Sequence, residues 1–170
     1  MKPIADSRSC GLELAGYRPG VIGEITATHA RYYAEHWNFD LSFESQVATE
    51  LSAFLRAFVE NRDCFLTAWL YGAFAGSVAV DGAVDDPDGP RLRWFIVPPQ
   101  YQGRGVGRIL LNRAMDFCRD RYDRMHLWTF SGLDCARHLY ESAGFRVAEE
   151  HQVAQWGNNI LEQKCMTRLR

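Results

Sequence analysis

The chain of 170 residues is 47% apolar and 24% charged, proportions typical of a globular protein with its own buried core. Its formal net charge of −2 argues against a dedicated nucleic-acid binder, which would carry a basic excess. No apolar stretch reaches the roughly 18 residues of a membrane span, and the first 20 residues lack the basic-then-apolar order of a secretory signal. We therefore expect a single cytoplasmic domain over residues 1–170, with neither nucleic acid nor membrane as a partner.

The cysteines are odd in number and lack the paired spacing of a zinc site. They are Cys10, Cys64, Cys118, Cys135 and Cys165. We expect no metal centre and mostly buried, reduced thiols. Cys135 is of interest because it falls close to the functional residues predicted below.

Apolar periodicity in the first half predicts a strand, two helices and a hairpin. The predicted elements are a strand at 12–17, helices at 21–37 and 42–59, and strands at 64–71 and 74–80 joined at Gly72-Ala73. The four aspartates and two prolines of residues 81–90 predict a loop. This loop is either a solvated connection or an acidic rim that faces the substrate.

The second half predicts a strand, a helix and a further strand in the order of a βαβ unit. The strand at 91–97 ends at Pro98-Pro99, because proline cannot donate to a sheet ladder. A helix follows a glycine-rich loop, and the strand at 125–130 is expected to run parallel to the first. The next helix carries Leu133, Ala136, Tyr140 and Ala143 on one side and ends at Gly144, before a strand pair around residues 156–159.

The loop between the strand at 91–97 and the helix is suited to bind an anion. It reads Gln102-Gly103-Arg104-Gly105-Val106-Gly107-Arg108. The first backbone N–H groups of a helix lack partners within the helix and carry the positive end of its dipole. Glycines let these amides approach a diphosphate, and the two arginines add positive charge.

Two other phosphate-binding loops do not fit. A nucleotide hydrolase loop needs a Lys-Ser or Lys-Thr pair after its glycines, and none follows here. A dinucleotide fingerprint that started at Gly103 would need a third glycine where Arg108 stands. The remaining alternative is a glycine-rich turn that holds no ligand.

This segment resembles the acyl-CoA-binding motif of the GNAT superfamily, which has the pattern Arg or Gln, two residues, Gly, one residue, Gly or Ala. The segment ARHLYESAGF at 136–145 resembles a second motif of that family, in the expected order. More narrowly, LWTFSGLDCARHLYESAGF together with Gln155-Trp156-Gly157 is similar to the acetyltransferase half of MarR-type regulator fusions.

The resemblance implies an α/β (α+β) fold with a central mixed sheet of six to seven strands, flanked by about four helices. The two central parallel strands would splay apart and admit the acyl group. Backbone groups of Phe95, Ile96 and Val97 would pair with the pantetheine arm of acetyl-CoA. The amides of residues 102–108 would hold its diphosphate, and Tyr140 would act as the general acid toward the departing thiolate.

The sequence departs from the family pattern at two positions. Many members have an asparagine where Leu133 stands, and some have a glutamate base on the central strand, whereas residues 91–97 hold no carboxylate. The base is therefore open between several side chains and a water relay. The candidate side chains are Glu24, Glu35, His36, Asp81 and His138.

The function implied is transfer of an acetyl group to a primary amine of a small molecule or peptide, with a homodimer as a possible assembly. An ammonium group with a pKa near 10.4 is neutral in only about one molecule in 2,500 at pH 7, a penalty of roughly 4.6 kcal/mol. The site must offset this penalty. Two alternatives stay open: a non-catalytic acyl-CoA sensor, and an enzyme that uses longer acyl groups or protein N-termini.

Overall fold

The computed structural model describes residues 11–83 and 87–170, which form one mixed seven-stranded sheet with four α-helices. Cys10 and part of the 81–90 loop lie outside the described residues. The elements are β1 (Leu12–Ala15), α1 (Val21–Trp37), α2 (Leu41–Arg56), β2 (Cys64–Leu70), β3 (Ala73–Asp81), β4 (Arg91–Ile96), α3 (Val106–Arg119), β5 (Arg124–Phe130), α4 (Asp134–Ser142), β6 (Arg146–Gln155) and β7 (Asn158–Arg168). Within the described ranges no helix is both long and apolar enough to cross a membrane.

The order of strands across the sheet is β1-β2-β3-β4-β5-β7-β6. The pair β4 and β5 is parallel and the other pairs are antiparallel, which confirms the predicted βαβ unit. Four helices and seven strands agree with the architecture that the resemblance implies.

Several predicted boundaries differ from the structure, and strand β1 ends at Ala15 and not at Tyr17. Helix α2 ends at Arg56 and not at Val59, because the buried carboxylate of Asp63 accepts hydrogen bonds from the Val59 and Gly82 amides and shapes a loop there. The β2–β3 turn is Tyr71-Gly72, one residue earlier than expected. Both turn residues have positive φ, 51° and 83°, as a tight two-residue hairpin turn requires.

The apolar core consists of two clusters on opposite faces of the sheet. One cluster joins the sheet to α3 and includes Leu110 and Leu111. The other joins the sheet to α1 and α2 and includes Ile25 and Leu51. Each of these four side chains is at most 1% exposed. The sheet therefore separates an α3 face from an α1–α2 face.

Strands β4 and β5 pair only at the start of β4. The paired residues are Arg91 with His126 and Leu92 with Leu127. Beyond Leu92 the two strands separate, so the expected splay of the central parallel strands is present. The edge of β4 that faces β5 is consequently left without a neighbouring strand over its second half.

A β-bulge in β4 reverses which face its side chains occupy. Opposite β3, Ala79 pairs with Arg93 whereas Ser77 pairs with Ile96, so β4 contains one extra residue. Trp94, at the bulge, has a φ of 44°, a conformation that is strained for a bulky residue. Leu92 packs with the α3 cluster, but Trp94 packs with the α1–α2 cluster and Phe95 packs against the α3 cluster.

Two contacts stabilise the bulge. The buried hydroxyl of Ser77 donates a hydrogen bond of 2.7 Å to the carbonyl oxygen of Trp94. The indole of Trp94 lies 5.2 Å from the Phe54 ring on α2, and the Arg93 guanidinium lies 4.1 Å above the indole. The strained backbone is thus stabilised by packing on one face of the sheet.

The β6–β7 turn fastens the α1–α2 connection. The Asp40 amide donates to the Trp156 carbonyl at 3.0 Å, and the Asn158 side chain donates to the Trp37 carbonyl at 2.8 Å. The Trp156 indole N–H also donates to Gln46 on α2 at 2.8 Å. These bonds fix α1 and α2 against the face of the sheet that carries the cavity described below.

Replacing Ser77 by alanine is expected to lower the free energy of unfolding by about 1–3 kcal/mol, because the Trp94 carbonyl loses its donor at a buried site. Urea denaturation measures this loss. Ser142→Ala is the matched control: its hydroxyl donates to the Leu139 carbonyl at an exposed position where water can replace it. A loss for Ser77→Ala no larger than that of the control would contradict this role.

Candidate active site

A cavity of about 170 Å³ lies where β4 and β5 have separated. Its walls come from α1, α2, β4, β5 and α4. Aromatic side chains that line it include Tyr33, Trp94 and Trp128. Tyr33, Phe43 and Phe130 pack edge-to-face or tilted within one aromatic cluster at centroid distances of 5.0 to 5.5 Å. The walls on this side are therefore apolar and closely packed.

The glycine loop turns directly into α3. Gly103 and Gly105 adopt φ values of 73° and 80°, and Gly105 is the N-cap residue of the helix. The first helical hydrogen bond runs from the Ile109 amide to the Gly105 carbonyl at 3.0 Å. The amides of residues 106–108 precede that bond and are the helix-start donors that the sequence predicts.

The loop has room for an anionic group. Apart from each glycine and its chain neighbours, no heavy atom of the described residues lies within 4 Å of the position that a Cβ atom would take on Gly103, and only the end of the Arg108 side chain comes that near at Gly105. Arg104 and Arg108 are both exposed beside it. The loop therefore offers accessible backbone and exposed positive charge, which fits the diphosphate of an acyl-CoA.

Gln102 shapes this loop in the structure. Its amide donates to the Pro99 carbonyl at 3.2 Å, so this backbone group already has a partner. Its side-chain amide donates to the Val97 carbonyl at 3.0 Å. The backbone of Phe95 and Ile96 lies on the part of β4 that β5 no longer pairs with. That edge is where an extended chain could add to the sheet.

Phe95 connects the helix start with Tyr140. Its ring centroid lies 5.8 Å from that of Tyr140, and its Cζ atom is 3.5 Å from the place of a Cβ on Gly107. Since the bulge turns Phe95 toward the α3 face, three predicted site residues come together there. Tyr140 itself is 7% exposed and lines the cavity.

Burial sets the protonation of Tyr140. Desolvation raises the pKa of its phenol well above the ordinary value of 10, and the nearby Tyr33 raises it further. Burial likewise raises the pKa of Tyr33. Both phenols are therefore neutral over the physiological range and can serve as hydrogen-bond donors.

His29 is a cavity residue that the sequence did not indicate. It lies on α1 one turn before Tyr33 and is 6% exposed. Its Nδ1 donates to the Ile25 carbonyl at 2.8 Å, which leaves Nε2 of the neutral ring as the acceptor. Desolvation lowers the pKa of His29 from 6.5 to about 4. A histidine in an aromatic-rich helix gives no sequence signal that it faces a cavity.

None of the five bases suggested by the sequence lines the cavity. Glu24, Glu35, His36 and His138 are exposed, and the Nδ1 of His36 is bonded to the Tyr32 carbonyl. Asp81 is half-buried and pairs with Arg93 at 3.4 Å. Helical periodicity places residues on faces, but it does not show which face meets the opening in the sheet.

The remaining residues of interest fall outside or at the rim of the site. Leu133 lines the cavity where many family members have asparagine, and it precedes α4 without a side-chain cap. Cys135 is exposed on α4 and does not line the cavity. The thiols of Cys64, Cys118 and Cys165 are buried and free, as expected.

The family model of the acetyltransferase (GNAT) family matches residues 24–145. Mycothiol acetyltransferase from Beutenbergia cavernae is 39% identical over 89 residues, which cover 43% of this chain and 29% of that protein. N-acetylaspartate synthetase from Danio rerio is 34% identical over 84 residues, which cover 49% of this chain and 29% of that protein. The chain thus spans less than a third of the length of these curated relatives.

Solved structures share the fold over nearly the whole chain. A GNAT-family acetyltransferase from Staphylococcus aureus Mu50 superposes with a TM-score of 0.74 at 15% identity, covering 94% of this chain and 99% of that one. The yncA protein from Salmonella typhimurium, solved with its cofactor acetyl-CoA, gives 0.70 at 17% identity, covering 94% and 95%. With the family model matching well over half of its length, the chain belongs to the GNAT family of acetyltransferases.

Proposed function

We propose that the protein transfers an acetyl group from acetyl-CoA to a primary amine of a small molecule or peptide by direct attack. The observation that carries this proposal is the arrangement around Phe95. Its ring joins the glycine-rich start of α3 on one side to Tyr140 and the cavity on the other. A cofactor held at the helix start would direct its thioester into the opening between β4 and β5.

Acetyl-CoA supplies an activated acyl group when bound, and this chain supplies the contacts. The amides of residues 106–108, with Gly103, Gly105 and the side chains of Arg104 and Arg108, hold the diphosphate. Gln102 keeps the loop in shape through its bonds to Pro99 and Val97. Backbone groups of Phe95, Ile96 and Val97 bind the pantetheine arm as an added strand. The acetyl-CoA in the yncA structure supports this cofactor.

His29 acts as the base in this proposal. A histidine with a pKa of about 4 cannot deprotonate a free ammonium group, because that transfer is uphill by roughly 9 kcal/mol. It can accept a proton once the amine nitrogen bonds to the carbonyl carbon, since the N–H group then becomes far more acidic. Glu50 also lines the cavity, but its carboxylate is paired with Arg93. The amine must enter in its neutral form, which the aromatic wall formed by Tyr33, Phe43 and Phe130 favours.

Tyr140 assists the leaving group by donating a hydrogen bond. Because burial raises its pKa, full proton transfer to a thiolate of pKa about 8.5 would cost more than the roughly 2 kcal/mol expected for an ordinary phenol. Stabilising the developing negative charge on sulfur requires no such transfer. Tyr140 is therefore a hydrogen-bond donor to the thiolate rather than its full acid.

Two of the similar proteins have names that refer to acetylation on a nitrogen atom. One has the name N-acetylaspartate synthetase, and a neighbour in fold is the ribosomal-protein-S18-alanine N-acetyltransferase of Escherichia coli, with a TM-score of 0.66 at 20% identity. The enzyme names of the curated relatives favour catalysis over a sensor role. Three further expectations stay predictions. They are the narrower likeness to the acetyltransferase half of MarR-type fusions, a single cytoplasmic domain over residues 1–170, and a homodimer.

Tyr140→Phe is expected to lower kcat by about 10- to 100-fold with little change in the affinity for CoA, because it removes one donor to the developing charge. Thiol release gives kcat, and calorimetry gives the affinity. Tyr122→Phe is the control, since its hydroxyl donates to the Arg62 carbonyl and does not line the cavity. An unchanged kcat for Tyr140→Phe would remove this residue from the mechanism.

The lowered pKa of His29 predicts that the free energy of unfolding depends on pH. Its pKa is 6.5 in the unfolded chain and about 4 in the fold, so the unfolded state binds more protons between these values. The contribution of neutral His29 to the free energy of unfolding is therefore present above pH 6.5 and is lost as the pH falls toward 4. From pH 7 to pH 5 the free energy of unfolding should fall by about 2 kcal/mol more in the wild type than in His29→Gln.

Urea denaturation at the two pH values measures this difference. His36→Gln is the control, because that side chain is exposed on the same helix, and it should keep the wild-type dependence on pH. If His29 is also the base, His29→Gln lowers kcat by about 100-fold or more. Equal pH dependence in wild type and His29→Gln would show that His29 is not held neutral by burial.

A further inference from the structure

The charged side chains that line the cavity differ in whether they have a partner of opposite charge. Arg91, Arg93 and Glu50 line it together with the neutral His29. Arg93 is fully engaged: it pairs with Glu50, lies 3.4 Å from Asp81 and stacks 4.1 Å above the Trp94 ring. The charges of Arg93 and Glu50 cancel, so the positive charge that is left among the lining residues belongs to the other arginine.

That arginine is Arg91. Its Nε is buried and has no hydrogen-bond partner among the described residues, and no described carboxylate forms an ion pair with its guanidinium. Desolvation, and then the charge of Arg93, lower its pKa, whereas Glu50, Glu162 and Asp81 act on it only over longer distances. A guanidinium does not lose its proton in proteins, so this charge persists. A half-buried cation without a partner is costly, and an anionic ligand would offset that cost.

Position shows which ligand can reach Arg91. Arg91 and Arg93 flank Leu92, which packs on the α3 face, so both arginines lie on the α1–α2 face with Glu50. Arg91 is also the first residue of β4, and the strand rise of about 3.3 Å per residue puts it roughly 17 Å from Ile96, where the strand ends before the glycine loop. The diphosphate site lies beyond that far end. An anionic group that binds Arg91 is therefore part of the molecule that fills the cavity and not the diphosphate of the cofactor.

We propose that the acceptor is a small amine that carries a carboxylate, such as an amino acid, and that Arg91 binds this carboxylate. This proposal rests on the proposed acetyl transfer and names the substrate class for it. The carboxylate pairs with the guanidinium in the forked geometry that arginine favours. The amino group then extends along the cavity toward Phe95 and Tyr140. A cavity of about 170 Å³ suits a small molecule of this kind.

The test compares acids with their amides. Glycine, aspartate and 4-aminobutyrate are each assayed with acetyl-CoA beside the corresponding carboxamide, in the wild type and in Arg91→Gln. We expect the wild type to prefer at least one acid by 10-fold or more in kcat/KM, and Arg91→Gln to lose roughly 10- to 100-fold of that preference. Arg91→Lys should retain an intermediate preference. Arg56→Gln, at an exposed arginine outside the cavity, should behave as the wild type.

A second arm asks whether the acyl group carries the carboxylate instead. With an uncharged amine, succinyl-CoA and acetyl-CoA are compared in the wild type and in Arg91→Gln. A preference for succinyl-CoA that Arg91→Gln abolishes would overturn the assignment to the acceptor.

A binding measurement separates this inference from the proposed function. Calorimetry of the same acids against the CoA-bound protein should give heat in the wild type and about 10-fold weaker or no binding in Arg91→Gln. Turnover with amines but no preference for acids overturns the present inference alone. No thioester consumption with any amine overturns the proposed function, and the calorimetry then still decides whether Arg91 binds a carboxylate.

Discussion

The pairing of β4 with β5 ends after two residue pairs, and a bulge at Trp94, two residues further along, reverses the faces that the side chains of β4 occupy. Without the bulge, period-two alternation would place Phe95 on the α1–α2 face with Arg91 and Arg93. With it, Phe95 faces Gly107 and Tyr140 on the α3 side, while the arginines face α2. One extra residue in a strand thus gives the opening two chemically different sides, which are the proposed cofactor side and the proposed acceptor side.

The burial of side chains around the opening affects their protonation in a consistent way. Burial favours the neutral form of each group, so it raises the pKa of Tyr140 and lowers the pKa of His29. The site consequently holds a neutral donor and a neutral acceptor at physiological pH. Each can form a hydrogen bond with a substrate without the cost of first discharging an ion. Among the described residues that line the cavity, the charged ones are Arg91, Arg93 and Glu50, on the proposed acceptor side.

Features with a local physical cause could be predicted from the sequence. Helix α1 begins and ends where the apolar pattern places it. Gly144 follows α4 and has a φ of 94°, the left-handed conformation expected of a glycine that ends a helix. The glycine loop lies at a helix start because glycine spacing and the following apolar face are both local signals. The parallel pair β4 and β5 followed from the order of elements alone.

Features that depend on distant partners could not be predicted. The end of α2 is set by Asp63, whose partners include the Gly82 amide nineteen residues away. The bulge at Trp94 depends on Ser77 and on Phe54, and Trp in a strand gives no local sign of a positive φ. His29 becomes a site residue only because α1 is held over the splay, through the bonds that the β6–β7 turn makes to the α1–α2 connection.

The affinity for CoA of two glycine variants tests whether the cofactor is held at the start of α3. Gly105 and Gly20 are both N-cap glycines in the left-handed region, with φ of 80° and 93°, so alanine imposes similar backbone strain at either one. Calorimetry should show CoA binding weakened by at least about 10-fold in Gly105→Ala and unchanged in Gly20→Ala. Equal affinities in both variants and the wild type, or no heat with millimolar CoA in the wild type, would contradict a cofactor held at the start of α3.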